Sequence, residues 1–423
     1  MKSGNMIISR ASELVTCSGF KGKRGSEMND LKVLHNASVI IENGLIKSVT
    51  ESAVDLESYA KKGYEIIHAE GKCVLPGFVD SHTHFVFGGY RQDEYDWRLR
   101  GQSYMEIMSK GGGIVNSVEG TRNESAEELY QNGVKRLNSM ARFGVTTVEG
   151  KSGYGLDLDT EIKQLEVMKR LNEAHSLDIV PTFLGPHARP KEHKETPDLF
   201  LDFMIDEVLP EVVERDLAEF ADIFCEENVF SIEQSRRFLT AAREKGLKLK
   251  VHADEIVRLG GAELAAELGA VSADHLLQAS DEGIKKMHEA GVVTTLLPCT
   301  AFSLKEHYAR ARDMMNADCV VALATDFNPG SCFTESIPLL IALATNQMGM
   351  TIEETITALT INGAAALDRA DKIGSIDVGK KADLVIHEFP SYKFLPYHIG
   401  VSTVEKVVKN GVVIVDLFND QPL

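Results

Sequence analysis

Residues 78–91 read FVDSHTHFVFGGYR, and His82 and His84 stand two apart at the end of an apolar run. In an extended segment, residues i and i+2 point to the same side, so both imidazoles face one way. Neutral imidazole nitrogens suit zinc or iron(II), but two histidines alone leave a site incomplete. His252 and Asp326, each near the end of its own apolar run, complete a set of three nitrogens and one oxygen. Such a set leaves a position open for water, as a catalytic metal site requires. The other reading of a lone His-x-His is a pair of satisfied structural histidines. The matching positions of His252 and Asp326 at run ends argue against it.

The elements that would position these residues alternate along the middle of the chain. Strand-like runs read CVLPGFVD (73–80), GVTTVEG (144–150), DIVPTFLG (178–185), ADIFCEE (221–227), LKLKVHAD (247–254), AVSADH (270–275), GVVTTLLP (291–298) and CVVALATD (319–326). Helical stretches such as SAEELYQNGVKRLNSMARF and IEQSRRFLTAAREKG lie between them. The runs are apolar almost throughout, as expected of parallel strands covered on both faces. Eight such units predict an α/β chain with a (β/α)8 TIM-like barrel. An open doubly wound sheet is the alternative, but no G-x-G-x-x-G follows the first strand. Barrel enzymes carry their chemistry at the C-terminal ends of the strands. Five of the thirteen histidines fall there, namely His82, His84, His187, His252 and His275, together with Glu226, Glu227, Glu255 and Asp326.

Head and tail read differently. NMIISRASELVT, NASVIIENGLIKSV, KKADLVIHEF and VEKVVKNGVVIV are short β-rich runs with Asn-Gly turns at 43–44 and 410–411. They predict a small β-sandwich domain built from both chain ends. The expected division is residues 1–75 and 370–423 for that domain and 76–369 for the barrel.

The chain has 423 residues, 43% hydrophobic and 26% charged, and a formal net charge of -18. That excess of acid argues against nucleic acid and anionic membrane as partners. The first ten residues lack the apolar core of a signal peptide, and no run is long and apolar enough for a bilayer span. Six scattered cysteines without C-x-x-C spacing fit a reducing cytoplasm. The expected partner is a small molecule, and the expected assembly is a homodimer.

FVDSHTH, VHADE, SADH and ATDFNPGS resemble the metal-binding landmarks of the amidohydrolase superfamily. The fuller set GGGI, KSGYG, VHADEI, GGAELA, VSADHL, ATDFNPGS and GSIDVGKKADLVI resembles the imidazolonepropionase family within it, over nearly the whole chain. The resemblance implies one zinc or iron ion (Fe2+ or Fe3+) and 4-imidazolone-5-propanoate as substrate. Hydrolysis of its ring amide would give N-formimidoyl-L-glutamate, a step of histidine degradation. It also implies substrate contacts from Arg91, Tyr104, Tyr154, His187, Asn328, Gly330 and Ser331. Many superfamily members bridge two metals with a carboxylated lysine on strand four. ADIFCEE offers none, and Lys151, after strand two, reads as out of place for that role. A single ion held by His82, His84, His252 and Asp326 is therefore expected, with Glu226 or Glu227 as minor candidates for bridging a second.

Opening a ring amide needs a metal-activated water, a stabilised oxyanion and a proton for the leaving nitrogen. Asp326, besides ligating, could accept the water proton. His275 could orient water or polarise the carbonyl. Glu255, three residues past a ligand, could shuttle a proton to the ring nitrogen and touch the substrate; its other reading is a surface carboxylate. Arg91 could hold the propanoate tail through two hydrogen bonds, since a guanidinium is a planar fork. Cys299 and Ser303 depart from the family pattern, which usually has glycine and often tyrosine there, and so bear on substrate fit. A single-metal deaminase of a heterocyclic base would share the ligand set but leave Arg91 without a carboxylate to hold. A metal-binding barrel without turnover is the non-enzyme alternative.

Overall fold

The structure, a computed structural model, describes residues 4–102, 106 and 112–418. The head of the chain supplies β1 (Met6–Val15), β2 (Val33–Glu42), β3 (Leu45–Thr50), β4 (Glu65–His68) and β5 (Cys73–Pro76). The turn between β2 and β3 is the expected Asn43-Gly44 hairpin. The run expected as one strand over 73–80 is two. It breaks at Gly77, where a Cβ would lie 2.3 Å from Thr146 Oγ1. Only glycine allows the chain to pass that close as it crosses from one sheet to the other.

The barrel follows: β6 (Phe78–Asp80), β7 (Val145–Lys151), β8 (Asp178–Phe183), β9 (Phe220–Ala221), β10 (Phe224–Cys225), β11 (Lys248–Ala253), β12 (Ser272–His275), β13 (Val293–Leu296) and β14 (Val320–Leu323). β9 and β10 share the fourth stave, and every pairing is parallel. The ring closes through a parallel bridge between Thr83 and Phe327. Its bonds run from Asp326 N to His82 O at 3.0 Å and from His84 N to Phe327 O at 2.9 Å. Below them Asp80 accepts from Thr325 N at 3.0 Å and Thr325 Oγ1 at 2.7 Å. The seam of the barrel is thus the backbone of His82, His84 and Asp326.

The outer helices follow from their caps and periods. The helix Ala126–Arg142 starts at Ser125, whose hydroxyl accepts from Glu128 N while Glu128 reaches back. The helix Ile232–Glu244 starts the same way with Ser231 and Gln234. Both bury one stripe, including Leu129, Leu137, Met140, Phe238 and Leu239, against the barrel.

The tail returns β15 (Leu384–His387), β16 (Val404–Lys409) and β17 (Val412–Asp416). β15 pairs antiparallel with β5, so head and tail form one eight-stranded sheet in the order β17-β16-β15-β5-β1-β2-β3, with β4 on β1. β1 is irregular between Ile8 and Ala11, and the sheet encloses its own apolar cluster of Met6, Ile8, Val39, Ile41, Leu384, Ile386 and neighbours.

The barrel interior departs from the expectation of apolar strands. Glu149 and Lys151 on β7, Lys250 and His252 on β11, and Asp274 on β12 alternate inward and are all buried. The period of two puts them on the axis while Val148, Val251 and Ala273 pack outward.

Candidate active site

Five rings and a carboxylate converge at the rim. His82, His84 and Asp326 offer ligand atoms within 4.8 Å of one another; so do His82, His252 and His275, and His84, His187 and His252. Asp326 Oδ1 is 3.6 Å from His82 Nε2 and 3.5 Å from His84 Nε2. The four residues expected as ligands are therefore brought together. His82 Nε2 and His252 Nε2 are buried with no hydrogen-bond partner. Buried polar nitrogens left bare are costly, and a cation among them would satisfy them. Burial holds His82 and His84 well below the ordinary histidine pKa, so both rings are neutral, the form a metal needs. The donor set fits zinc or iron.

The far sides of these ligands are held by residues the sequence reading did not assign. His82 Nδ1 donates to Asp274 Oδ2 at 2.6 Å. His252 Nδ1 lies 2.9 Å from Asp222 Oδ2, off the hydrogen-bond direction. Thr300 Oγ1 donates to Asp326 Oδ2 at 2.6 Å. The bonds to His82 and Asp326 fix ring tautomer and ligand orientation, and Asp222 Oδ1 holds His252 by accepting from its backbone N at 3.1 Å. Lys151, expected out of place, is the last residue of β7, and its Nζ lies 2.7 Å from Asp222, 3.0 Å from Glu149 and 3.6 Å from Asp274. Burial pulls its pKa down, but the three carboxylates outweigh that and hold it above the usual lysine range. Burial likewise pushes Asp222 up, and His252 and Lys151 outweigh it, holding it well below the usual range. Glu226 is elsewhere: it accepts from Ile256 N at 2.8 Å and Glu227 N at 2.7 Å and shapes the loop after β11.

Above the rings opens a cavity of about 440 Å3. Its lining includes Arg91, Tyr154, His187, Glu255, His275, Asn328, Gly330 and Ser331, all singled out from sequence, and Tyr95, Arg98 and Phe224, which were not. Tyr104 lies outside the described residues. Cys299 and Ser303 line a neighbouring cavity, separated by Arg91 and Gly330, so they do not face this one.

Each wall has a reason. Glu161 accepts from Gly153 N, Gly155 N and Leu156 N at 2.8–3.1 Å and so bends the loop that presents Tyr154. His187 Nδ1 bonds Gly153 O at 3.1 Å, and its ring stacks on His84 at 4.9 Å. Burial lowers the His187 pKa to about 3, so it is neutral. Asp254 gathers the amides of residues 259–262 at 2.8–3.1 Å and sets the loop carrying Glu255. Glu255 Oε1 lies 3.6 Å from His275 Nδ1, and its side chain is 16% exposed. Burial, then Asp326 and Glu226, push its pKa up to about 8. At neutral pH it carries a proton. Burial also raises Asp326, to about 6. His275 and Asp326 sit at φ of 76° and 53°, strained for non-glycine residues at a rim.

Arg91 is less free than expected. Its Nε and one Nη lie 2.9 and 2.8 Å from Glu94 Oε2. Glu94 also accepts from Gly113 N at 2.9 Å and Asn116 Nδ2 at 3.1 Å. The guanidinium is thereby fixed in plane, and its end edge, both Nη, remains to face a ligand. Asn328 is spent internally too, accepting from Gly330 N and Ser331 N at 2.8 Å and donating to Asp326 O at 2.7 Å.

The description "Amidohydrolase family" matches residues 73–415. Over 97% of this chain, the imidazolonepropionase of Clostridium tetani (strain Massachusetts / E88) is 62% identical, with 98% of its own length covered. That of Parabacteroides distasonis is 56% identical over 97% of this chain and 99% of its own. Among solved structures, a triazine hydrolase variant superposes with a TM-score of 0.75 at 16% identity, covering 99% of this chain and 96% of that one. An adenosine deaminase from Xanthomonas campestris with bound zinc gives 0.68 at 19%, covering 97% and 93%. At such identities these two share the fold. Barrel, rim and relatives agree: this chain belongs to the amidohydrolase family and, within it, to the imidazolonepropionases.

Proposed function

We propose that the site hydrolyses the ring amide of 4-imidazolone-5-propanoate to N-formimidoyl-L-glutamate. The observation that carries the reading is the pairing of a His3Asp rim with a fixed guanidinium across one cavity, in a chain 62% identical to an imidazolonepropionase. A zinc or iron ion held by His82, His84, His252 and Asp326 supplies a Lewis acid and lowers the pKa of water. One ion is the reading: the lysine nearest the rings, Lys151, is an ammonium paired with three carboxylates and so is not the neutral amine that carboxylation needs.

The end edge of Arg91, held flat by Glu94, takes the propanoate. Tyr154 and His187 close the side of the ring. Asp326 accepts the proton lost by the attacking water. His275 faces the carbonyl oxygen and donates as charge develops there. Glu255 brings the proton that its raised pKa keeps on the carboxyl, and passes it to the departing nitrogen. Asn328 stiffens the loop that sets Gly330 and Ser331 beside the tail.

The reading includes a homodimer in the cytoplasm and a small domain from residues 1–75 and 370–423 against a barrel of 76–369. Six free cysteines support the compartment, and among the described residues no helix is long and apolar enough to cross a membrane. The test is incubation with freshly made imidazolone propanoate, following loss of its ultraviolet absorbance. Turnover that a chelator abolishes and zinc or iron restores is expected. Absence of turnover in metal-loaded protein would overturn the reading.

A further inference from the structure

Directly beneath the rings, five charged side chains lie at or near the barrel axis with no exposure: Glu149, Lys151, Asp222, Lys250 and Asp274. The proposed reaction uses none of them. Lys151 is central. It pairs with Asp222 at 2.7 Å and lies 3.6 Å from Asp274. Those are the two carboxylates behind His252 (2.9 Å) and His82 (2.6 Å), which come from different staves. Glu149 is shared: Lys151 lies 3.0 Å and Lys250 3.1 Å from it, and Thr182 Oγ1 donates to it at 2.5 Å.

We infer that Lys151 is a positioning residue for the metal centre: one buried ammonium that holds Asp222 and Asp274 as oriented carboxylates and through them sets His252 and His82. The inference rests on the ligand set proposed above. The physical argument is one of sign and geometry. A buried carboxylate without a counter-charge turns away or takes a proton. In either case the Nδ1 side of its histidine loses the anion beside it, which for His82 is the hydrogen-bond acceptor and for His252 also holds the backbone N at 3.1 Å, and the opposite nitrogen becomes a poorer donor. Because one cation serves both carboxylates, the two histidines are set together. Lys250 cannot substitute, since its ammonium is bound to Glu149 and to Ser81 O at 3.1 Å.

The test is zinc affinity of the zinc-loaded enzyme, read by competition with a chromophoric chelator, with circular dichroism to report folding. His82→Ala is the control for the ligand set and loses tight zinc. Lys151→Met is expected to weaken zinc roughly 10–100-fold. Asp222→Asn weakens it comparably, and the double variant Lys151→Met/Asp222→Asn loses less than the sum of the two single losses, because part of the lysine's effect runs through Asp222 and the rest through Asp274. A folded Lys151→Met with wild-type affinity overturns the inference. So does a double variant whose loss is the sum of the two single losses. If Lys151→Met does not fold, the triple variant Lys151→Met/Asp222→Asn/Asp274→Asn is compared with Asp222→Asn/Asp274→Asn directly, and an additional tenfold loss overturns it. If His82→Ala keeps wild-type affinity, the ligand set fails, and this inference with it. If His82→Ala loses zinc and folded Lys151→Met does not, only the inference fails.

Discussion

Gly330 and Arg91 are in contact: a Cβ built at 330 would lie 1.9 Å from Arg91 Nη1. The loop after β14 therefore touches the guanidinium that begins the helix Gln92–Leu99, and the absence of a side chain at 330 is what gives Arg91 its place.

Gly330→Ala should displace Arg91 while leaving the barrel intact, since the obstructing atom ends a flexible side chain. The expected result is a KM raised about tenfold or more, with a smaller change in kcat, because the tail is bound in ground and transition states alike. Steady-state kinetics with a thermal melt checks it. An unchanged KM would remove Arg91 from tail binding.

Arg91→Lys keeps the charge but loses both the planar edge and the paired contact with Glu94, and should already be impaired. Arg91→Ala should harm the natural acid far more than an imidazolone lacking the carboxylate. Equal losses on the two compounds would show another role. Glu94→Gln should act in the same direction through loosened orientation, about 3–10-fold in KM for one charge-assisted contact.

Glu255 gives a pH signature. Its folded pKa is pushed up to about 8 from the ordinary 4.5, so a donor role predicts kcat/KM falling as pH rises through about 8. Glu255→Gln should keep the metal, lose about 10²-fold or more in turnover and lose that alkaline limb. The stability sign is opposite to that of a paired carboxylate. Between pH 4.5 and 8 the folded state binds more protons at this position than the unfolded one. Ionisation therefore erodes stability as pH rises through that window, and Glu255→Gln should melt higher than wild type at pH 9. A melt lower by the same margin would contradict the burial argument.

Elemental analysis should find about one zinc or iron per chain. His252→Ala should abolish tight binding. Thr300→Val should retain the ion and lose activity modestly, about tenfold, by freeing Asp326 Oδ2. Two tightly held ions per active chain would contradict the single-ion reading.

The rim was legible because chemistry at strand ends leaves a local mark. His82 and His84 obey the period of two, and His252 and Asp326 close apolar runs. The residues behind the rim were not. Asp222 lies between the two short strands of a broken stave, and Lys151 pairs with it across 71 positions of sequence. Asp274 lies 192 positions from His82. Which inward side chains face one another depends on the closed ring, which no local pattern encodes. Strand one misled for a related reason: CVLPGFVD reads as one strand, and only the close approach of Thr146 to Gly77 shows that it serves two sheets. Arg91 was found, but Glu94, one turn further on, reads as an ordinary acidic residue in a helix's first turn.

The central claim is hydrolysis at the ring amide, and product analysis in 18O-labelled water tests it most directly. Mass spectrometry should find N-formimidoyl-glutamate with one 18O in the newly formed carboxyl group, produced only with metal present and with no ammonium released at the rate of turnover. Stoichiometric ammonium, or a product whose ring survives, would contradict the account and favour a deaminase.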